Sequence, residues 1–115
     1  MKITPAASHQ LDEVRAAYAH GRQIQRDQGT LGWPEFADAA ILAEISEGRL
    51  LRVAHGDEVA GVFSVAYDDT AIWGPRECGK HIYLHRIARA SSFTGRGLLD
   101  AIFRWADDQI GRAHV

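Results

Sequence analysis

The residues from His81 to Ile110 constrain the fold more than any other part of the chain. They are predicted to form a strand, a short glycine-containing loop and an amphipathic helix. The loop, Thr94-Gly95-Arg96-Gly97, leads into a helix whose first turn leaves several backbone N–H groups without intrahelical acceptors. These donors and the positive end of the helix dipole favour an anionic ligand. The pattern therefore predicts a site for a phosphate-bearing ligand at the start of this helix.

The size and charge of the chain fit one domain with no nucleic-acid partner. Its 115 residues are 46% hydrophobic, and 13 basic against 15 acidic residues give a net charge of −2. The single cysteine, Cys78, excludes an internal disulfide and favours a reducing compartment. The first residues lack a signal-peptide core, and no apolar run approaches the roughly 20 residues that cross a bilayer. We therefore expect a cytoplasmic protein with no membrane partner.

The first half of the chain predicts one short strand and two helices. The strand precedes Pro5, and Ser8 is a candidate cap for a helix that continues to about Gln28. A second helix is predicted to start at Trp33-Pro34-Glu35 and to end at Gly48, because proline suits a first turn and glycine a helix end. The inner face of this second helix is predicted to consist of Phe36, Ala40, Ile41 and Ile45.

The second half predicts strands and a closing helix. Leu50 to Ala54 and Val59 to Tyr67 flank a glycine-containing turn and are typical of a hairpin. After the short segment Ile72-Trp73, the run from His81 to Ala88 is apolar on both faces, as expected of an interior strand. The closing helix is predicted to end at Gly111, and the last four residues are typical of the start of another strand. The predicted apolar side of this helix is Leu98, Leu99, Ile102, Phe103, Ala106 and Ile110.

The order of these elements resembles that of the GNAT (general N-acetyltransferase) superfamily. Local sequence is also similar at residues 49–65, at Asp69 to Trp73 and at Tyr83 to Ala88. The resemblance covers essentially the whole chain, but only the N-terminal two-thirds or so of a usual family domain. It implies an α/β (α+β) fold: a mixed, mostly antiparallel sheet with two N-terminal helices and a helix after the central strand, the C-terminal strands being absent. We expect residues 1–115 to form a single GNAT-like domain that lacks the usual C-terminal portion.

The loop before the closing helix departs from the family pattern at one position. The family has Arg or Gln, two residues, Gly, one residue, then Gly or Ala. Gly95 and Gly97 supply the two small residues, whereas Ser92 stands where Arg or Gln is usual. Because the family uses mainly backbone donors here, the resemblance still implies a pyrophosphate cradle, with Arg89 or Arg96 as a source of positive charge. The glycines alone leave open a tight turn that binds no ligand.

The resemblance implies acetyl-CoA, or another acyl-CoA, as the cofactor. The pantetheine arm would pair, in the manner of an added strand, with the backbone of Arg86, Ile87 and Ala88. The pyrophosphate would be held by the N–H groups of Thr94, Gly95, Arg96, Gly97 and Leu98. The implied reaction moves an acetyl group to a primary amine of a small molecule or peptide.

Candidate catalytic residues are chosen by their chemistry. His85 is the most suitable general base because histidine titrates near neutral pH, although a strand histidine with a structural role is the commoner case. Glu77 and Asp69 are alternative carboxylate bases or amine anchors. Trp33 and Trp73 lie in loops that, by the resemblance, border the acceptor pocket, and core packing is the alternative for each.

No metal site is expected. His81 and His85 lie four residues apart on a predicted strand, a span of roughly 13 Å that is too long for one ion. Cys78 and His81 lack two further ligands at zinc spacing.

Two hypotheses of different class therefore follow. The first is an N-acyltransferase, and the second is a catalytically degenerate acyl-CoA-binding or oligomerisation module. Without the usual C-terminal strands, the chain would expose the edge of its central strand and part of the closing helix's apolar face. We therefore expect a homodimer or higher homo-oligomer that completes the sheet.

Overall fold

A computed structural model describes residues 1–30, 32–67 and 82–113. One 3₁₀ turn, Ser8–Gln10, leads directly into the first α-helix. Within the described ranges no helix is long and apolar enough to cross a membrane. In chain order the elements are β1 (Lys2–Pro5), α1 (Leu11–Asp27), α2 (Asp38–Ser46), β2 (Leu50–His55), β3 (Glu58–Tyr67), β4 (Ile82–Arg89) and α3 (Leu98–Ala113).

The four strands form one antiparallel sheet in the order β1-β2-β3-β4. The predicted N-terminal edge strand and the β2–β3 hairpin are both confirmed, with Lys2 paired to Ala54 and Leu51 to Phe63. Helices α1 and α2 cover one face of the sheet, and α3 covers the other. The predicted α+β class, with two N-terminal helices and a helix after β4, is confirmed.

Alternation along β3 divides its side chains between two cores. Phe63 and Val65 pack with Leu98 and Ile102 of α3. Val62 points to the opposite face of the sheet and belongs to the core beneath α1 and α2. The buried members of that second core are Ala6, Val14, Ala17, Tyr18, Ile41, Leu50, Val62 and Ala88.

Both N-terminal helices begin differently from the prediction. The predicted cap at Ser8 is wrong, because Ser8 lies inside the 3₁₀ turn and no described side chain caps α1. The Gln10 side chain instead accepts a 2.9 Å hydrogen bond from the N–H of Ala7, at the start of that turn. Helix α2 begins at Asp38 rather than at Trp33. The Trp33 N–H donates to Oε1 of Gln25 at 2.7 Å, so this segment is tied to α1 before the helix starts.

The inner face of α2 is also smaller than predicted. Ile41 is buried and Ile45 is half-buried, whereas Ala40 is exposed. Neighbouring helical residues point about 100° apart, so Ala40 cannot share the direction of Ile41. The end of the helix is as predicted, because Gly48 follows it with a φ of +72°.

The predicted end of the closing helix is wrong. Helix α3 runs through Gly111 to Ala113, so Arg112 and Ala113 are helical rather than the start of a strand. A glycine inside a helix costs only about 1 kcal/mol relative to alanine, which a packed helix can absorb. The apolar face is narrower than predicted, because Leu99 and Phe103 are 50% and 52% exposed.

The prediction that β4 is apolar on both faces, which is typical of an interior strand, is wrong. Tyr83 and His85 are exposed, whereas Leu84 and Ile87 pack against the core under α3. Among the described strands, β4 pairs with β3 alone and lies at the edge of the sheet. Its outer edge thus has no partner strand within residues 1–30, 32–67 and 82–113.

An ion pair joins α1 to β2. The guanidinium of Arg52 donates from Nε to Oε2 of Glu13 at 2.7 Å and from Nη2 to Oε1 at 2.9 Å. The hydrogen bond from Arg52 holds the pKa of Glu13 below its usual value, although partial burial acts in the opposite sense. The pair therefore contributes to stability only while Glu13 is ionised.

We predict that Glu13→Gln lowers the free energy of unfolding at pH 7 by about 1 kcal/mol, since the pair is bidentate but partly exposed. The lowered pKa means that the contribution is complete above the unfolded-state value of about 4.3. It is lost as the pH falls through the folded-state value, so wild type and variant should converge in acid. Urea unfolding from pH 7 downward measures this, and Glu47→Gln, at an exposed pair with Arg49, is the control.

Candidate functional site

Strand β4 contains a bulge at Arg86. Between the pairs Ser64–His85 and Val62–Ala88, β4 has two residues where β3 has one. Arg86, the first of the two, has a φ of 49°, in the left-handed region. Directly paired residues point to the same face, so His85 lies on the Ser64 side of the sheet. The bulge brings Arg86 to that face as well.

The Arg86 side chain is held inside the protein. It forms an ion pair with Glu44 of α2 and donates a 3.1 Å hydrogen bond to Oγ of Ser64. Its guanidinium carbon lies 4.8 Å from the centre of the Phe36 ring and 5.8 Å from that of Tyr18. The Arg86 and Glu44 side chains are only 25% and 14% exposed. These contacts leave the backbone of Arg86, rather than its side chain, for a ligand.

Two polar atoms in this cluster are buried without a hydrogen-bond partner among the described residues: the Tyr18 hydroxyl and Nε of Arg86. Burial raises the pKa of Tyr18, against smaller effects of neighbouring Ser64 and Arg86. The tyrosine is therefore a neutral phenol at physiological pH. These polar side chains form a cluster between the sheet and α1–α2 that is largely shielded from water.

The loop between β4 and α3 presents backbone donors. The N–H of Phe93 bonds to the carbonyl of Ala90 at 3.1 Å, and that of Ala101 bonds to Gly97 at 2.9 Å. Between these two bonds, the amides from Thr94 to Leu98 donate to no other described residue. The four residues before α3 are exposed. Free amides thus meet water at the N-terminus of a 16-residue helix, which is the arrangement that binds anions.

The two glycines of the loop are needed for different reasons. A Cβ on Gly95 would lie 2.7 Å from Cζ of the buried Phe93 ring, so packing requires glycine there. A Cβ on Gly97 would meet only Cε of Met1, at 3.8 Å. The φ of Gly97 is +95°, however, a conformation that side chains with a Cβ rarely adopt.

The Arg89 side chain contacts the same loop. Its Nη1 donates to the carbonyl oxygen of Gly95 at 2.8 Å, and its guanidinium lies 5.5 Å from the centre of the Phe93 ring. Arg96 is exposed within the loop. Positive charge therefore lies beside the free amides even though position 92 is a serine.

A groove of about 280 Å³ lies beside the end of β4 and the start of α3. A Cβ on Gly61 of β3 would lie 2.6 Å from the carbonyl oxygen of Ala88 and 3.0 Å from Leu98, so glycine allows β4 and α3 to approach closely here. A larger depression of about 790 Å³ between α1 and α2 contains none of the predicted site residues. The groove is lined by Gly21, Ile24, Gln25, Trp33, Ile87, Ala88, Arg89, Leu98 and Leu99.

The groove brings together some of the predicted site residues. Ile87, Ala88 and Leu98 line it, whereas Arg86 and the loop residues Thr94 to Gly97 are not among its lining residues. Trp33 forms part of the wall while also packing edge-on against Tyr18, with ring centres 6.0 Å apart.

The predicted catalytic residue His85 does not line this groove. His85 is exposed on β4, one residue before the bulge. Asp69, Trp73 and Glu77 lie outside the described residues. In the described part of the chain, no three His, Cys, Asp or Glu side chains form a group that could hold a metal ion.

The polar cluster around Arg86 is not among the features predicted from the sequence. Glu44 lies three residues after the buried Ile41, so helical spacing places it toward the same inner face. Ser64 interrupts an apolar run in β3 and is buried. Two sequence features could have indicated this cluster. One is a charged residue on the inner face of a helix, and the other is a serine in a core strand.

The sequence is similar to that of a bacterial protein named as an N-acetyltransferase. The chain matches no protein-family model. It is 25% identical over 114 residues to the "Uncharacterized N-acetyltransferase YesJ" of Bacillus subtilis (strain 168), covering 92% of this chain and 63% of YesJ. The chain thus spans less than two thirds of this relative's length.

Solved structures agree with this similarity. An acetyltransferase of the GNAT family from Listeria monocytogenes 4b F2365 superposes with a TM-score of 0.71 and 20% identity, covering 93% of this chain and 67% of that protein. A GCN5-related N-acetyltransferase from Kribbella flavida gives a TM-score of 0.56 at 17% identity, covering 94% of this chain and 26% of that one. The chain therefore has the fold of the GNAT acetyltransferases, and the resemblance to that superfamily inferred from its sequence is confirmed.

Proposed function

We propose that the chain binds acetyl-CoA and takes part in transfer of the acetyl group to a primary amine of a small molecule or peptide. Two observations support the proposal: a groove lined by Ile87, Ala88 and Arg89 at the end of β4 and by Leu98 at the start of α3, and the loop just before Leu98, whose amides donate to no other described residue. The similarity to a protein named as an N-acetyltransferase, and to a GNAT-family acetyltransferase structure, supports the same reaction class.

The described residues fit both distinctive parts of CoA. Its pyrophosphate matches the amides from Thr94 to Leu98, which donate to no other described residue and lie at the positive end of α3, with Arg89 and Arg96 nearby. Its extended, amide-containing pantetheine arm matches a strand edge whose N–H and C=O groups have no partner strand among the described residues. When bound, acetyl-CoA supplies an acetyl group activated as a thioester.

The proposed reaction needs a proton acceptor, because an amine attacks only in its neutral form. We assign this role to His85, whose imidazole is exposed on β4 next to the bulge. Glu77 is the alternative base. Trp33, Asp69 and Trp73 are retained as proposed acceptor-pocket residues.

The proposed assembly is a homodimer or higher homo-oligomer. Tyr83 on β4 and Phe103 on α3 are 40% and 52% exposed. Contact between copies would remove such apolar groups from water.

We predict that the chain binds acetyl-CoA with a dissociation constant between about 1 μM and 1 mM, the usual range for enzyme substrates. Isothermal titration calorimetry tests binding, and a free-thiol assay with a panel of primary amines tests turnover. Amine-dependent thiol release would support the transferase. Binding without release under all conditions would instead favour the inactive acyl-CoA-binding module. No heat of binding at millimolar acetyl-CoA would contradict both.

We predict that Gly97→Val weakens CoA binding at least about tenfold, which corresponds to roughly 1.4 kcal/mol. A β-branched residue disfavours the φ of +95° and would redirect the amides that face the pyrophosphate. Ser92→Val is the matched control, and its affinity should stay within about twofold of wild type. Thermal unfolding of both variants checks that the fold is intact. Equal affinities for the two would argue against a backbone cradle.

A further inference from the structure

Arg86 adopts a backbone conformation that its side chain disfavours. Its φ is 49°, and in this region Cβ approaches the following carbonyl oxygen, a clash that only glycine avoids. Within the described ranges, every other residue with a positive φ is a glycine. Interactions beyond the local backbone must therefore hold Arg86 in place.

Glu44 provides the principal interaction. Its carboxylate forms an ion pair with Arg86, and Ser64 bridges the two by donating to Oε1 of Glu44 at 3.4 Å while accepting from Arg86 at 3.1 Å. The Phe36 ring lies against the same guanidinium. The ion pair is largely shielded from water, so removing one partner leaves the other charge poorly solvated.

This ion pair requires the bulge. His85 pairs with Ser64 and faces α1–α2, so in a regular strand the next residue would face α3 instead. The left-handed turn at Arg86 returns its side chain to the α1–α2 face, where Glu44 lies. The bulge and the ion pair therefore stabilise each other.

The bulge also decides how the following residues meet the groove. In an antiparallel strand, alternate residues direct both backbone N–H and C=O to the same edge. One extra residue at Arg86 therefore determines which of Ile87 and Ala88 presents these groups to the free edge of β4. A regular strand would present the other residue.

We propose that Glu44 is a positioning residue for cofactor binding. By pairing with Arg86 it holds the bulge, and the bulge sets the backbone groups that β4 offers to the pantetheine arm. This inference rests on the proposed function and adds a residue of α2 that does not itself touch the groove.

The test removes the ion pair and then restores the backbone conformation without it. Glu44→Gln should weaken acetyl-CoA binding about tenfold in calorimetric titration, within the range seen when a coupling contact is removed. Adding Arg86→Gly should restore affinity to within about twofold of wild type, because glycine enters the left-handed region freely. Adding Arg86→Ala instead is the matched control. It removes the same side chain but not the steric penalty, so binding should stay weak.

Unchanged affinity in Glu44→Gln would overturn the proposal, and so would equal affinities of the glycine and alanine double variants. A second readout needs no ligand: backbone ¹³C chemical shifts of residues 86–88 report φ and ψ. The shifts of all three residues should change in Glu44→Gln, and those of Ile87 and Ala88, whose identity is unchanged, should return in the glycine double variant, even if the wild type failed to bind acetyl-CoA. Unchanged shifts in Glu44→Gln would contradict the inference while leaving the proposed function standing.

Discussion

The left-handed residue in β4 is the constraint on which the rest of the site depends. It costs about 1–2 kcal/mol at a residue with a Cβ, and it is held at Arg86 by groups from α2 and β3. Beyond it, Ile87 packs toward α3 and Ala88 toward α1. The close approach allowed by Gly61 then brings the end of β4 against Leu98 at the start of α3. Strand, loop and helix are therefore positioned as one unit.

Local pattern predicted much of the fold. The β2–β3 hairpin has alternating strands around a turn, and α3 has a 3.6-residue apolar period, so neither needs information from elsewhere in the chain. At the start of α2, a distant contact overrides local preference. Pro34 is suited to a helix start, but the bond from Trp33 to Gln25 keeps that segment tied to α1. Gly111 is a plausible helix end, yet α3 continues past it.

The candidate site likewise combines features of consecutive residues with a contact between distant elements. The end of β4 and the loop before α3 are short consecutive segments, so Arg86, Ile87, Ala88 and residues 94–98 could be proposed as cofactor residues from the sequence, and their role stays a prediction. Of these, Ile87, Ala88 and Leu98 line the groove. The partnership of Glu44 with Arg86 joins a helix to a strand far along the chain and depends on a bulge. An arginine in a strand gives no sign of a positive φ. Its ion pair therefore could not be predicted from spacing.

The loop glycines carry a consequence for how related sequences should vary. Gly95 is required by the size of its neighbour Phe93, so a smaller side chain at position 93 would relieve the need for glycine at 95. Gly97 is required by its own φ, and no change in a neighbour would relieve that. Positions 93 and 95 should thus covary by volume, while position 97 should vary independently of both. A sequence motif that treats the two glycines as equivalent would therefore combine a packing requirement at position 95 with a backbone requirement at position 97.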